Sequence, residues 1–389
     1  MKIAILLDQL TLGGVQKNAL YQAEKLTLYG QDVKIFLINP IQRQDKGFLI
    51  HPSPPPIISL SSYYPFFLRS KAITIPPSKF LSLQLLIAPF LIPRYLKLKN
   101  IDLIIAHGAT TAFTALQLRR QLGIPFWAII YDPLIYIWQK IYAPLFPPLV
   151  HPLLRKIIKL SEKTYLSQAT GVITQSQTSA SLLKTEYQIH PRIIFPGCNP
   201  VKSISSLPAG KYFLALSRWS LAKNPFFLLS LIQKLPSIRL IIAGHWQEKK
   251  ELTLFQKKII QQGLSKQIQL RPDLDEKEKN HLLQHCRAWI HPHFEGFGLG
   301  ALEAAAYGKP IIIPRNSGAN NIFKHGREGL FPPEGNLEAF VRATQKLWQN
   351  PILAQKMGRA AWEKSKKFSW SQQTLKLWQI INSSHVSTN

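Results

Sequence analysis

Cysteine, methionine and acidic residues are all scarce in this chain of 389 residues: two Cys, two Met, and 20 Asp+Glu against 48 Lys+Arg. The two cysteines, Cys198 and Cys286, lie far apart, which excludes a disulfide framework and a cysteine-rich metal site. A reducing cytosol is the compartment such usage predicts. No apolar run of about 18 residues is free of charge or multiple prolines, so a spanning helix is not expected. The nearest candidate, Pro133 to Leu154, carries Lys140 and is broken by prolines. The apolar start, Ile3 to Leu7, is short, preceded only by Lys2, and followed by no small-residue cleavage site, which does not fit a secretory signal. A basic arm is lacking as well. The net charge is +13 over residues 1–200 and +15 over the rest, with no separate block of like charges.

What is present suits a packed core. The chain is 46% hydrophobic and 17% charged, hence globular, and its length predicts two domains, since single cores rarely grow past about 250–300 residues. A formal charge of +28 attracts polyanions: nucleic acid, an anionic membrane face, or phosphorylated substrates.

Strand-like and helix-like runs alternate. Lys2–Leu7, Val33–Ile38, Ile101–Ala106 and Phe126–Tyr131 read as strands, with helices over Val15–Leu28 and Thr110–Leu122, the latter ended by Gly123 and Pro125. A second series follows the proline-rich stretch Pro196–Pro208: strands at Tyr212–Ser217, Arg239–Ala243, Ile268–Leu270, Ala288–His291 and Pro310–Pro314. Such alternation predicts parallel sheets covered on both faces, in two doubly wound halves whose strand ends face a cleft. No repeat of 20–50 residues is visible.

Two segments stand apart. Residues 51–100 hold Pro54-Pro55-Pro56, Tyr63-Tyr64, Phe66-Phe67 and Leu81–Leu91 among Arg69, Lys71, Lys79, Arg94, Lys97 and Lys99, with no acid. Residues 133–160 hold Trp138, Tyr142 and Phe146, followed by Arg155, Lys156 and Lys159. Rings and lysines together suit an interfacial membrane surface; a core helix pair with an irregular loop is the alternative.

Three places carry candidate chemistry. Gly13-Gly14 follows the first strand and opens a helix, where backbone can approach a phosphate or sugar. Arg218 ends the strand Tyr212–Ser217 and Lys223 follows on the next loop, so fork and point charge can grip a diphosphate from two sides. Glycines in His293-Phe294-Glu295-Gly296-Phe297-Gly298-Leu299-Gly300 sit between a strand and an alanine-rich helix, where N–H groups and the macrodipole favour an anion. Glu295 precedes that helix and Glu303 lies within it. The two cannot share a helix face, but they can reach two parts of one extended ligand.

This segment resembles the Glu-x7-Glu motif of the family 4 glycosyltransferases, retaining enzymes of the α/β GT-B fold, in which two Rossmann-like doubly wound domains face a central cleft. Gly13-Gly14-Val15, the run from Glu162 to Gly197, Ser217-Arg218 with Lys223-Asn224, and Arg327-Glu328-Gly329-Leu330 through Phe368-Ser369-Trp370 resemble further family features. Residues 40–100 and 133–155 match poorly. The resemblance implies an N-terminal acceptor domain over 1–205, a nucleotide-sugar domain over 206–369 and a helix over 370–389 crossing back to the first. It implies that Arg218 and Lys223 neutralise the donor diphosphate, Glu303 holds the ribose, and Glu295 the transferred sugar. Phe297, Gly298 and Leu299 would present N–H groups, Ser317-Gly318 would line the donor pocket, and Gly14 would touch the diphosphate from the first domain. His107 and Asp132 are the acceptor-side candidates. Three positions depart from the family pattern: Tyr131-Asp132 stands where relatives carry histidine, Asn321 where they tend to carry glutamate, and His293 where a serine is common.

The expected reaction moves a hexose from a nucleotide-diphosphate sugar to a hydroxyl of a glycan or lipid-linked acceptor, as in polysaccharide synthesis. Charge on the leaving diphosphate would be met by Arg218, Lys223 and the helix tip, with no metal or other cofactor. Asp273-Leu274-Asp275 precedes a helical run, where Asp275 suits an N-cap better than a metal site. The expected location is cytoplasmic, on the inner face of the cell membrane. The alternatives are a non-catalytic membrane-associated relative that binds nucleotide-sugar or glycan, and nucleic-acid binding. The latter lacks any helix-turn-helix, RRM or zinc signature, so no specific nucleic-acid partner is expected.

Overall fold

The structure, a computed structural model, describes residues 1–10, 13–40, 55–74, 82–95, 100–204 and 210–386. Pro54, Lys79, Leu81, Lys97, Lys99 and Pro208 therefore lie outside the described residues. The chain divides into two compact units, Met1–Pro196 with Gln373–Asn389, and Gly197–Gln372.

The first unit is built in the order β1 (Lys2–Leu7), α1 (Gly14–Leu28), β2 (Asp32–Leu37), β3 (Ile57–Ser59), α2 (Leu83–Tyr95), β4 (Leu103–His107), α3 (Ala109–Leu122) and β5 (Phe126–Ile130). It continues with α4 (Leu134–Ile137), α5 (His151–Gln168), β6 (Gly171–Thr174), α6 (Gln177–Tyr187) and β7 (Arg192–Ile193). Its strands form one parallel sheet ordered β3-β2-β1-β4-β5-β6-β7. Unbroken apolar strands such as Ile3–Leu7 arise because both faces are covered. Leu6, Ala106 and Phe126 face one side, where residues of α2, α3 and α5 complete the core. Ile5, Ile105 and Ile129 face the other, against α1.

The second unit runs β8 (Phe213–Leu216), α7 (Phe226–Gln233), β9 (Leu240–Ala243), α8 (Lys249–Gln261), β10 (Ile268–Arg271), α9 (Glu276–His285), β11 (Ala288–Ile290), α10 (Leu299–Ala306), β12 (Ile311–Ile312), β13 (Gly329–Leu330), α11 (Leu337–Gln349) and α12 (Pro351–Ser365). Its parallel sheet is ordered β10-β9-β8-β11-β12-β13. Strand order reverses at β8 and β11, so a crevice opens beyond their C-terminal ends. Asp275 caps α9 in a reciprocal box with Glu278.

The sequence boundary at 205/206 lies outside the described residues, whereas the division by contacts falls at 196/197. The reason is local: Cys198 N donates to Phe368 O at 2.8 Å and Trp370 N to Cys198 O at 3.3 Å, binding this strip to the second unit. The last helix, α13 (Trp370–Val386), starts there, and Leu377 and Ile381 enter the core of the first unit beside α1.

Sequence periodicity missed the short β3, β7 and β13, because two or three residues carry no period. It also gave no hint of the role of Glu162. This carboxylate on α5 is fully buried. It accepts Leu134 N (2.7 Å), Ile135 N (3.0 Å), Tyr165 Oη (2.9 Å) and Tyr187 Oη (2.5 Å), pinning the start of α4 to α5 and α6. Glu162→Leu would leave two amides and two phenols without an acceptor. At ~1–3 kcal/mol per orphaned group, a loss of at least about 4 kcal/mol is expected in urea unfolding. A variant as stable as the parent would contradict this account of the α4–α5–α6 junction.

Candidate functional site

The crevice of the second unit collects most of the residues singled out from sequence. After β8 comes Ser217-Arg218, then a short helical turn, Leu221–Lys223, stopped by Asn224 in a left-handed conformation (φ 50°). That turn brings Lys223 back to the strand end. Its Nζ donates to Ser217 Oγ at 3.0 Å and to Glu295 Oε1 at 2.6 Å.

Glu295 lies on the loop from β11 to α10, with 19% of its side chain exposed. Burial alone would push its carboxyl up. Against burial stand the Lys223 charge, then the nearby His291 imidazole, the hydrogen bond from the Lys223 ammonium and the His293 imidazole, and together they hold the group at about 2. The sequence reading assigned these residues to different parts of a donor, whereas here they form one ion pair.

The loop geometry depends on glycines. Gly298 caps α10 with φ +79°, a conformation L side chains rarely adopt, and a Cβ there would stand 3.2 Å from Glu295 Oε2. Gly300 sits against the Trp289 indole, where a Cβ would come within 2.8 Å. By contrast, Gly13 caps α1 at φ −159°, ψ 161°, an extended conformation open to any residue. The first glycine pair is thus not demanded by backbone geometry.

Two residues that sequence reasoning passed over support Glu295. His291 follows β11, is buried, and lies between Trp219 and Trp289, with ring centroids 5.7 Å apart in each case. Burial pushes its imidazole down, so the ring is neutral and its 3.4 Å approach to Glu295 is not an ion pair. Its Nδ1 lies 2.9 Å from His293 O and 3.4 Å from His293 N, and its Nε2 lies 3.3 Å from Ser217 Oγ. Glu334 is the second. It accepts Phe294 N and Asn316 Nδ2, each at 2.8 Å, and meets His293 Nδ1 at 2.9 Å. Burial opposes its ionisation, but these hydrogen bonds prevail and its carboxyl is lowered. A histidine directly after a strand was the only sequence signal for His291; Glu334 gave none.

Ser317 and Gly318 come up from the next loop. Gly318 N donates to Glu295 O at 2.9 Å, and Ser317 lines a shallow recess together with His291, Glu295, Phe297 and Gly298. Asn321 Nδ2 donates to Gly318 O at 2.7 Å, closing its own turn. A glutamate there could not make that bond. Arg218, two residues past β8, is half-buried. Leu299 begins α10, and Glu303 one turn later meets Lys279 Nζ at 3.2 Å, while Lys279 also pairs with Glu276 at 2.7 Å.

Gly14, His107 and Asp132 belong to the first unit. His107, at the end of β4, is buried, and burial pushes its imidazole down to about 3. Its Nδ1 lies 2.8 Å from Tyr131 Oη, which also accepts Asn18 Nδ2 at 2.8 Å. Tyr131, which stands where a histidine was expected, is therefore locked to the neighbouring strand end. Asp132 follows it, half-buried.

Residues 12–202 match the family model described as Glycosyltransferase Family 4, and residues 202–364 match that described as Glycosyl transferases group 1. The D-rhamnosyltransferase WbpZ of Pseudomonas aeruginosa is 39% identical over 92 residues, 23% of this chain. The chain spans only part of such curated relatives: 24% of this one and 41% of a second. Among solved structures, sucrose-phosphate synthase from Thermosynechococcus elongatus superposes with a TM-score of 0.81 at 19% identity, covering 100% of both chains. Anabaena HepE, in complex with UDP and glucose, superposes with a TM-score of 0.74 at 16% identity, over 98% of this chain and 100% of that one. Two parallel-sheet Rossmann-like units, matched in turn by these two models, place the chain among the glycosyltransferases of the GT-B fold.

Proposed function

We propose that the chain is a retaining hexosyltransferase that moves a sugar from a nucleotide-diphosphate sugar to a hydroxyl of a glycan or lipid-linked acceptor. One observation carries this reading: an ionised Glu295, paired with Lys223, lines the recess at the start of α10. Helix N-terminal amides and cations there suit a diphosphate, and the carboxylate suits sugar hydroxyls. HepE, which shares the fold, holds UDP and glucose, which supports a nucleotide-sugar donor here.

In this reading the bond from the anomeric carbon to the diphosphate oxygen breaks with oxocarbenium character. The bonding pair leaves with the diphosphate, whose growing charge Arg218, Lys223 and the start of α10 stabilise. The same departing phosphate takes the acceptor proton as the new glycosidic bond forms on the face that the leaving group vacates. The reading requires neither a metal ion nor a dedicated base. Glu303 would hold the ribose, with Phe297, Gly298, Leu299, Ser317 and Gly318 around phosphate and sugar. His107 and Asp132 would serve the acceptor.

The test is a screen of nucleotide-sugars by mass spectrometry without any acceptor. One nucleotide-sugar should be retained and slowly hydrolysed. Retention with no hydrolysis would favour a non-catalytic binding protein. No retention of any nucleotide-sugar would overturn the proposal.

A further inference from the structure

In the first unit, α5 carries two opposite faces. Its inner side holds Glu162, Tyr165 and Leu166 in the core. Its outer side exposes Leu153 (62%), Ile157 (51%) and Leu160 (65%), which at 3.6 residues per turn form one stripe. Leu149, just before the helix, is more exposed still. Lys156 and Lys163, both exposed, run along one flank of the stripe. The sole acid of α5 is Glu162, which is buried and fully engaged; Lys159 pairs with Glu186 of α6 at 2.9 Å, and Lys156 and Lys163 beside the stripe have no acid of their own helix facing them.

The neighbouring helices continue this character. α2 packs on α3 and α3 on α5 in one layer over the sheet. α2 exposes Leu86 and Phe90, one turn apart. The loop before it exposes Phe66 (87%) and Phe67 beside Arg69 and Lys71. Residues 68–73 are tied to α2: buried Gln84 donates to Leu68 O at 3.0 Å and Lys71 O at 2.8 Å and accepts Ile73 N at 3.1 Å. Arg119 and Arg120 end α3 and bind Gln168 at the end of α5.

From this layer we infer that the α5 face docks on an anionic lipid bilayer, with its aliphatic stripe at the level of the headgroup–acyl boundary and its lysines on acidic headgroups. Charge complementarity decides for this occupant. A stripe meant for a second copy would bring Lys156 and Lys163 against the same lysines, whereas acidic lipid neutralises them. Burial of exposed leucines supplies the apolar part of the attraction, and the lysines supply the salt-sensitive part. The inference does not rest on the transferase reading.

The test is co-sedimentation of the full chain with vesicles of phosphatidylcholine alone or mixed with phosphatidylglycerol. Binding is expected to the mixed vesicles at low salt, to fall as salt rises, and to be weak on phosphatidylcholine. The triple variant L153S/I157S/L160S should bind about tenfold more weakly or worse, and so should K156E/K163E, with far-UV spectra and thermal midpoints unchanged. The same triple variant should keep nucleotide-sugar retention, and a Glu295→Gln chain should keep vesicle binding, so each idea fails separately. Equal vesicle binding by parent and both variants would overturn the inference. So would a concentration-dependent dimer in sedimentation velocity that only the triple variant abolishes.

Discussion

Glu303→Ala and Arg218→Ala should each lower turnover by about 10²-fold or more, the loss typical of removing one group that meets developing charge or fixes the reacting ligand. Glu303 is suited to the experiment because its removal does not strand a buried cation. Lys279, which it contacts at 3.2 Å, keeps Glu276 at 2.7 Å, so the variant should fold and report on ligand handling. Arg218 follows the C-terminal end of β8, one of the two strands at which sheet order reverses, and it is not a partner in the Lys223–Glu295 pair. Turnover measured at saturating donor separates chemistry from affinity. Parent-like turnover in both variants would remove the diphosphate from this crevice and with it the proposed reaction.

Gly318→Ala should be nearly as damaging, through packing. A Cβ at this position would fall 1.6 Å from Gly296 O and 3.0 Å from Phe297 Cα, and both obstacles are backbone. The loops cannot yield by rotating a side chain, so they must separate, and the bond from Gly318 N to Glu295 O must break. Overpacking of this kind costs typically ~1–3 kcal/mol. Because the strain falls on the loop that carries Glu295, nucleotide-sugar affinity should drop together with the urea midpoint. Calorimetric titration and an unfolding curve on the same preparation check both. A variant with parent-like midpoint and affinity would show that the 295–298 and 317–318 loops do not form one rigid unit.

Much of the architecture was legible in the sequence because strands covered on both faces must be apolar at nearly every position. Lys2–Leu7, Leu103–His107 and Leu240–Ala243 announce themselves in that way, and Gly123, in a left-handed C-cap (φ 73°), marks the end of α3. The crevice was legible for a related reason: glycines and charges directly after strands β8 and β11 fall at the end of the sheet where ligands bind. Less visible were groups whose partners are distant in the chain. Glu334 reaches Phe294 across 40 residues, and Tyr131 meets Asn18 across 113. The aromatic, lysine-rich segments predicted an interface, yet composition could not say which rings were core. Trp138 proved buried, while Phe66 and Leu153 proved exposed.

Local pattern alone determined the parallel α/β layering, the glycine-flanked helix start and the positive field, because each depends on residues adjacent in the chain or on totals. Tertiary packing decided the rest. It joined Lys223 to Glu295, kept His291 neutral between two indoles, spent the Asn321 amide on its own turn, and turned three aliphatic residues of α5 outward. Each of these turns on desolvation or on a close approach between distant segments, and neither quantity exists until the chain has folded.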